Sequence, residues 1–200
     1  MTRLVILLVL TLALAGCDSL GAALAPIDET ADHPVPEGLA DPDLWIYLPP
    51  PADRPASDVT RWVKPAETAE ERAKRIATPA AAGKPVPRPR YRGVWVEQFE
   101  YRTLERPRVP PVEYAEIFKR RMQRNCPDAV TTPLRVDGAE VLLEVVTSGC
   151  EPFGDEDELL RVVFDQPDFI ELGYTVKASA MTPAQRQSGM TALYAWKFGP

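Results

Sequence analysis

Beyond residue 90, apolar and polar positions recur with the periods of strands and helices. Strict alternation predicts half-buried strands, and apolar positions three or four apart predict amphipathic helices. The chain is expected to form a strand, a helix, two hairpins and a closing helix over 94–102, 111–125, 130–136, 139–147, 160–164, 170–176 and 183–196. The predicted fold class is therefore α+β, an antiparallel β-α-β-β-β-β-α sheet with two packed helices over residues 91–200.

Residues 17–90 have a different pattern, because they hold thirteen of the protein's 22 prolines. Each proline removes a backbone donor and favours an extended conformation in the residue before it. We therefore predict a long, mostly irregular proline-rich tether. One short helix is expected near residues 66–78, supported by the i,i+4 pairs Glu70–Lys74 and Glu71–Arg75.

One apolar run, residues 44–48, interrupts this predicted tether between acidic and proline-rich flanks. Leaving such a run in water is unfavourable, so it should be covered. Docking on the protein's own domain is the favoured interpretation. The alternative is addition to a partner's sheet edge or groove, with Trp45 and Tyr47 as partner-binding residues.

The chain begins with a short basic segment followed by an apolar run, residues 4–13. This run has the size of a signal-peptide core and is too short to span a bilayer as a helix, which needs about 20 residues. The next four residues, Leu14-Ala15-Gly16-Cys17, resemble the bacterial lipobox. The resemblance implies that residues 1–16 are a lipoprotein signal peptide and that Cys17 carries a diacylglycerol and an acyl chain.

A lipidated Cys17 would anchor the protein in a cell membrane, facing the periplasm. Several acyl chains give durable anchoring where a single chain gives marginal binding. Asp18 follows the cysteine, and in enteric bacteria this residue retains lipoproteins in the inner membrane. The expected location is thus the inner membrane, with the outer membrane as the alternative.

The other two cysteines, Cys126 and Cys150, then form an even pair in an oxidising compartment. Such a pair predicts a disulfide, which would join the end of the first domain helix to a point just past a strand. A zinc site is disfavoured, because two thiols without histidine make a poor ligand set.

The net charge of the protein argues against one class of binding partner. The formal net charge of -6 and the pI near 5.0 argue against nucleic acid, which requires a concentrated basic surface. One helix face does carry Lys119, Arg120 and Arg124. This face is interpreted as solvated, with a basic patch for an anionic partner as the alternative.

Catalytic and metal signals are weak. The single histidine, His33, lies in the predicted tether, which disfavours Ser-His, Cys-His and His-metal mechanisms on the domain. The acidic residues of segment 154–158 are consecutive and do not match a calcium loop, so a solvated turn is preferred to a metal site. We assign no catalytic residue, metal or cofactor. Glutamates on strands, at 97, 100 and 144, keep a carboxylate pair conceivable.

Three hypotheses about function follow. The first is a non-enzymatic interaction or assembly module with an envelope protein as its partner. The second is a small-ligand or cell-wall binder that uses an aromatic face of Trp95, Phe99 and Tyr101. The third is a hydrolase that acts through carboxylates.

Overall fold

The computed structural model of the protein describes residues 33–49, 59–84, 86–104, 109–150, 154–164 and 169–196. The predicted signal peptide and Cys17 lie outside these residues, so the lipid anchor stays a prediction. Within the described residues, no helix has both the length and the apolar character needed to cross a membrane.

A single antiparallel sheet is the centre of the described part of the chain. Its strands are β1 (Ile46–Leu48), β2 (Val59–Pro65), β3 (Trp95–Leu104), β4 (Val130–Val136), β5 (Glu140–Cys150), β6 (Gly154–Val163) and β7 (Phe169–Val176). They lie in the order β1-β2-β3-β7-β6-β5-β4. The α-helices are α1 (Ala69–Ala81), α2 (Pro111–Asn125) and α3 (Pro183–Ala195). The predicted α+β class with an antiparallel sheet is confirmed.

The structure differs from the prediction before residue 90. Beside the one short helix that was predicted, two strands form where an irregular tether was expected, and β2 pairs with β3 from Val59↔Arg102 to Pro65↔Trp95. The prolines cluster around these strands and leave their interiors free. The one proline of β2, Pro65, is its last residue and follows a register irregularity, a position where a missing donor is tolerated. The sheet thus begins well before the predicted domain boundary.

Helix α1 begins later than predicted. Thr68 and Glu71 form a reciprocal cap, in which each backbone N–H donates to the other residue's side chain, at 2.9 and 3.1 Å. The Glu70–Lys74 pair forms at 2.8 Å as expected. The predicted Glu71–Arg75 pair is wrong, because Arg75 pairs with Glu67 and Glu71 with Arg92.

Each face of the sheet has its own core. The face under α3, here the α3 face, buries the aromatic residues Trp45, Trp62, Phe99 and Tyr174 with apolar residues of β5, β6, β7 and α3. The opposite face, here the α2 face, buries Val141, Leu143, Val145, Leu160, Val162, Phe164 and Phe169 beneath Ala115. Strand β5 is covered on both sides, as its pattern predicts, because Leu142 belongs to the α3 face.

Helix α3 packs closely on the sheet. Its N-terminus is capped by Thr182 and Gln185, in the position predicted for the cap. A Cβ atom built on Gly189 would lie 2.4 Å from the ring of Tyr174, so only glycine permits this approach of helix to strand.

A disulfide joins Cys126 to Cys150, with their Cα atoms 5.6 Å apart. Cys126 is the C-cap of α2 and is fully buried, and Cys150 ends β5. The predicted disulfide is confirmed, and it ties the end of a helix to the sheet.

The acidic segment 154–158 was predicted to be a solvated turn, and this prediction is wrong. The segment is the start of β6. Asp157 faces the α3 side and is 3% exposed, with one carboxylate oxygen accepting the Met181 N–H at 2.7 Å. Alternation places Glu158 on the α2 face. The described residues contain no group of three or more His, Cys, Asp or Glu side chains placed to hold a metal ion.

The two edges of the sheet are both irregular or short. β1 has only three residues. β4 contains Pro133, and its register with β5 shifts between Pro133 and Arg135. A proline on an edge strand cannot donate a hydrogen bond to an added strand.

Candidate functional site

A cluster of charged side chains lies on the α2 face where β2, β3, β7 and β6 run side by side. The strand register places Arg102 opposite Glu171, Glu100 opposite Gly173, and Glu158 opposite Thr175. Together with Arg61 of β2, these side chains form what we call the glutamate–arginine cluster, comprising Arg61, Glu100, Arg102, Glu158 and Glu171. Its members come from four strands, so only the completed sheet assembles it.

The arginines of the cluster neutralise two of its glutamates. Glu100 accepts from Arg61 at 2.7 Å through one oxygen and from Arg102 at 2.5 Å through the other. Arg102 also lies 3.5 Å from Glu171. The second oxygen of Glu171 accepts a hydrogen bond from the Tyr114 hydroxyl of α2 at 3.2 Å. Glu100 and Glu171 are mostly shielded from solvent, so these contacts offset part of the cost of burying charge.

Gly173 makes room for the remaining carboxylate. A Cβ atom built at this position would lie 2.8 Å from Oε1 of Glu158. The missing side chain therefore leaves a gap in the floor of the α2 face that the Glu158 carboxyl occupies. No salt bridge of Glu158 is found within the described residues.

Burial and charge both act on this glutamate. Burial, followed by the neighbouring Glu171 and Glu100 carboxylates, raises the pKa of Glu158 to about 8. Burial also raises the pKa of Glu171, against the opposing effect of Arg102. The Tyr114 hydroxyl has a raised pKa for the same reason, with Glu171 adding to burial. At neutral pH, Glu158 is thus mostly a neutral acid beside ion-paired glutamates.

A carboxyl group that keeps its proton near pH 7 beside a second carboxylate is the combination used in general acid–base hydrolysis. The cluster has this combination in Glu158 and Glu171. It differs from the pair considered from sequence, because Glu97 and Glu144 lie on the α3 face. Glu97 accepts from the Tyr174 hydroxyl at 2.6 Å, and Glu144 pairs with Arg186 of α3. The structure does not bring those two glutamates to Glu100.

The apolar run around β1 packs on the protein's own sheet. Trp45 is 0% exposed, and its indole N–H donates to the Ala40 carbonyl at 2.9 Å. Tyr47 is half-buried between Trp62 and His33. This is the favoured of the two interpretations, and Trp45 is not on a surface that a partner could contact.

The aromatic face proposed for ligand binding is only partly accessible. Phe99 is 0% exposed and packs against Trp62 and Trp196. Tyr101 stacks on Trp196, and Lys177 lies over the Trp95 ring; both aromatic residues are half-buried. The buried ring of Phe99 cannot contact a ligand, so a continuous aromatic platform of all three residues is ruled out.

The basic face of α2 is at the surface, as its pattern predicts. Arg120 and Arg124 are exposed and, with Ile117 and Gln123, line an open depression; Lys119 is half-buried. None of these basic residues makes a salt bridge with another described residue.

Four members of the glutamate–arginine cluster were not predicted from the sequence as parts of a common site, namely Arg61, Arg102, Glu158 and Glu171. Its neighbour Tyr114 was not predicted to belong to a site either. A signal was present in β7, where Glu171 alternates with Ile170 and Leu172 and must point to the other face. The alternation does not show, however, that this other face of the sheet is covered. No protein-family model matches the sequence, and no curated protein matches it.

Proposed function

We propose that this chain is a lipid-anchored envelope protein, with Cys17 as the anchor and the described domain as a non-enzymatic interaction or assembly module in the periplasm. The distribution of the cysteines carries the proposal. Two of the three are joined at a Cα–Cα distance of 5.6 Å, and the third, Cys17, is the last of the four lipobox-like residues. A structural disulfide belongs in an oxidising compartment, which is where a lipobox would place the domain.

The proposed tether is shorter than the sequence alone indicates. His33 already stacks on Tyr47, next to β1, so the folded part begins far ahead of residue 90. Sixteen residue steps lead from Cys17 to His33. At about 3.6 Å per residue this stretch of chain can reach at most roughly 60 Å, compared with on the order of 200 Å for an extended tether ending at residue 90.

Lipid labelling tests the anchor. Cells that express the wild type and are fed a labelled fatty acid should yield a labelled protein in the membrane fraction. Cys17→Ala should lose the label, whereas the control Cys126→Ala with Cys150→Ala, which removes both disulfide-bonded cysteines, should keep it. Equal labelling or equal membrane retention of wild type and Cys17→Ala would contradict the proposal.

In-cell cross-linking tests the interaction role. The wild type should be recovered with one partner in a fixed ratio, from the membrane fraction and in several growth conditions. The absence of any partner in all of them would argue against an assembly module.

A carboxylate-based hydrolase is the second candidate, and one observation favours it. Glu158 keeps a proton near neutral pH, next to the ion-paired Glu171. If the protein is a hydrolase, it should cleave chromogenic glycosides or esters, and Glu158→Gln should abolish cleavage while Glu116→Gln, an exposed control on α2, leaves it unchanged. A folded wild type that cleaves none of these substrates would eliminate this candidate.

A further inference from the structure

We propose that the exposed side of α2 binds the anionic headgroups of the membrane to which the protein is anchored, an inference that rests on the proposed function. The surface concerned consists of Arg120, Arg121 and Arg124 around Ile117, and we call it the α2 basic face. The three arginines follow Ile117 by three, four and seven residues, so all of them lie on its side of the helix. Arg120, Arg121 and Arg124 are exposed, and Ile117 is 38% exposed.

The cations of this face differ from most others in the described part of the chain. Ten described basic residues form salt bridges, namely Arg61, Lys64, Lys74, Arg75, Arg92, Arg102, Arg135, Arg161, Lys177 and Arg186. The three cations of the α2 basic face form none with described residues, and only Arg121 among them interacts electrostatically with an acid of the glutamate–arginine cluster, Glu171. They are also neighbours on one helix, and the second half of α2, residues 117–125, contains no acid at all.

Stabilisation of the helix itself does not account for this arrangement. A cation near a helix C-terminus interacts favourably with the helix dipole, but the effect is confined to the last turn. In α2 the only basic residue in the last turn is Arg124. Arg120 and Arg121 lie earlier, and Arg124 follows them by four and three residues, a spacing at which like charges on a helix repel. An external anion would relieve that repulsion.

The helix that carries this face is packed on the sheet, and the face includes one exposed apolar side chain, Ile117. Tyr114, Ala115, Phe118 and Met122 pack on the sheet, and the disulfide at Cys126 fixes the end of the helix. Ile117 therefore stays outward among the cations. An exposed apolar side chain surrounded by basic residues is typical of helices that lie at a membrane interface.

Lipid is preferred to an acidic protein because of the anchor. An anchored domain meets headgroups at a high effective concentration, so a modest attraction is enough to orient it. Each basic residue near an anionic membrane surface strengthens binding by roughly fivefold. Three such residues would select one orientation of the domain without being able to hold a free protein durably at physiological salt.

The test places a probe on this face of the full chain. Gln123→Cys, which is exposed beside Arg120 and Arg124, is labelled with a fluorophore, and peptide mapping confirms the labelled position. The labelled protein is reconstituted on vesicles of phosphatidylcholine alone or with roughly one-third phosphatidylglycerol, both with quencher-bearing lipids. We expect at least fivefold stronger quenching on the anionic vesicles, and loss of this difference in high salt.

Two matched triple variants decide the assignment. Arg120→Glu with Arg121→Glu and Arg124→Glu should reduce quenching to the level on neutral vesicles. The control variant is Arg72→Glu with Arg88→Glu and Arg90→Glu. It changes the net charge by the same amount, at described cations that also form no salt bridge with described residues, and it should leave quenching unchanged. The corresponding glutamine variants, which are less disruptive, should show the same contrast, and thermal unfolding checks that each variant folds.

Equal quenching on both kinds of vesicle, or quenching unaffected by the α2 substitutions, would overturn the inference. So would protection of the probe by an acidic peptide and not by anionic vesicles. Membrane anchoring is measured separately, as flotation of the protein with neutral vesicles in high salt. Flotation without quenching refutes only the headgroup contact, whereas quenching that depends on α2 in a chain that does not float on neutral vesicles refutes only the anchor.

Discussion

At the scale of single residues, Glu158 shows how far the fold can change a side chain. It lies in a run of acids that reads as a solvated turn, yet β6 carries it to the α2 face beside two more glutamates. Its protonation depends on the register of three strands. The sequence around Glu158 does not contain that information, because Glu100 and Glu171 are both distant along the chain.

Stability should therefore depend on pH through Glu158. The pKa is about 8 in the folded protein, against an ordinary value near 4.5. The folded state binds the extra proton, so stability is fully present below about pH 4.5 and is lost as pH rises through about 8. Because the side chain keeps some contact with solvent, we expect a loss on the order of 1–3 kcal/mol.

Glu158→Gln should remove most of this pH dependence and stabilise the protein at pH 8–9. Urea unfolding between about pH 5 and 9 measures the effect. Glu116→Gln, on the exposed side of α2, serves as the control and should follow the wild type. A wild-type profile that is retained in Glu158→Gln would show that other groups are responsible.

At the scale of elements, local periodicity identified most helices and strands in the second half of the chain, although it missed the start of β6 at residues 154–158. The helix at 111–125 and the hairpin around Asp137 lie where they were predicted. β2 was not predicted, and β1 was expected only as an apolar run docked on the domain, because the high proline content of residues 17–90 indicates an irregular chain. What decides strand formation is the spacing of the prolines, and both strands fit between them.

Strand β1 and the residue before it should be essential to the fold. Trp45 is 0% exposed and packs near Tyr174, so Trp45→Ala should reduce the free energy of unfolding by about 3–5 kcal/mol. Asp43→Ala, at an exposed position two residues earlier, should change it by less than about 0.5 kcal/mol. Chemical denaturation distinguishes the two. A small effect of Trp45→Ala would mean that this segment is only loosely docked.

The disulfide couples α2 to β5. Its cysteines are 24 positions apart, and closing a loop of that length stabilises a protein by about 3–4 kcal/mol in the chain-entropy model. Reduction should lower the melting temperature of the wild type and leave the double variant Cys126→Ala with Cys150→Ala unchanged. Similar melting temperatures before and after complete reduction would contradict this prediction.

At the scale of the whole molecule, the sequence indicated the class and most of the sheet but not its extent. Alternation in segment 94–102 identified a half-buried strand, but its partners, β2 and β7, come from opposite directions along the chain. Alternation within one segment shows that it forms a strand but not which distant strands pair with it. The glutamate–arginine cluster, which spans β2, β3, β7 and β6, was out of reach for the same reason.

The edges of the sheet also limit how molecules can associate. A membrane anchor would concentrate the protein in two dimensions, a condition under which open strand edges tend to join into polymers. Here the β1 edge offers three residues, and the β4 edge is interrupted by Pro133. Neighbouring copies therefore have little backbone with which to extend one another's sheet. Crowding on a surface should leave the domains separate, and association should depend on side chains, which respond to salt and charge.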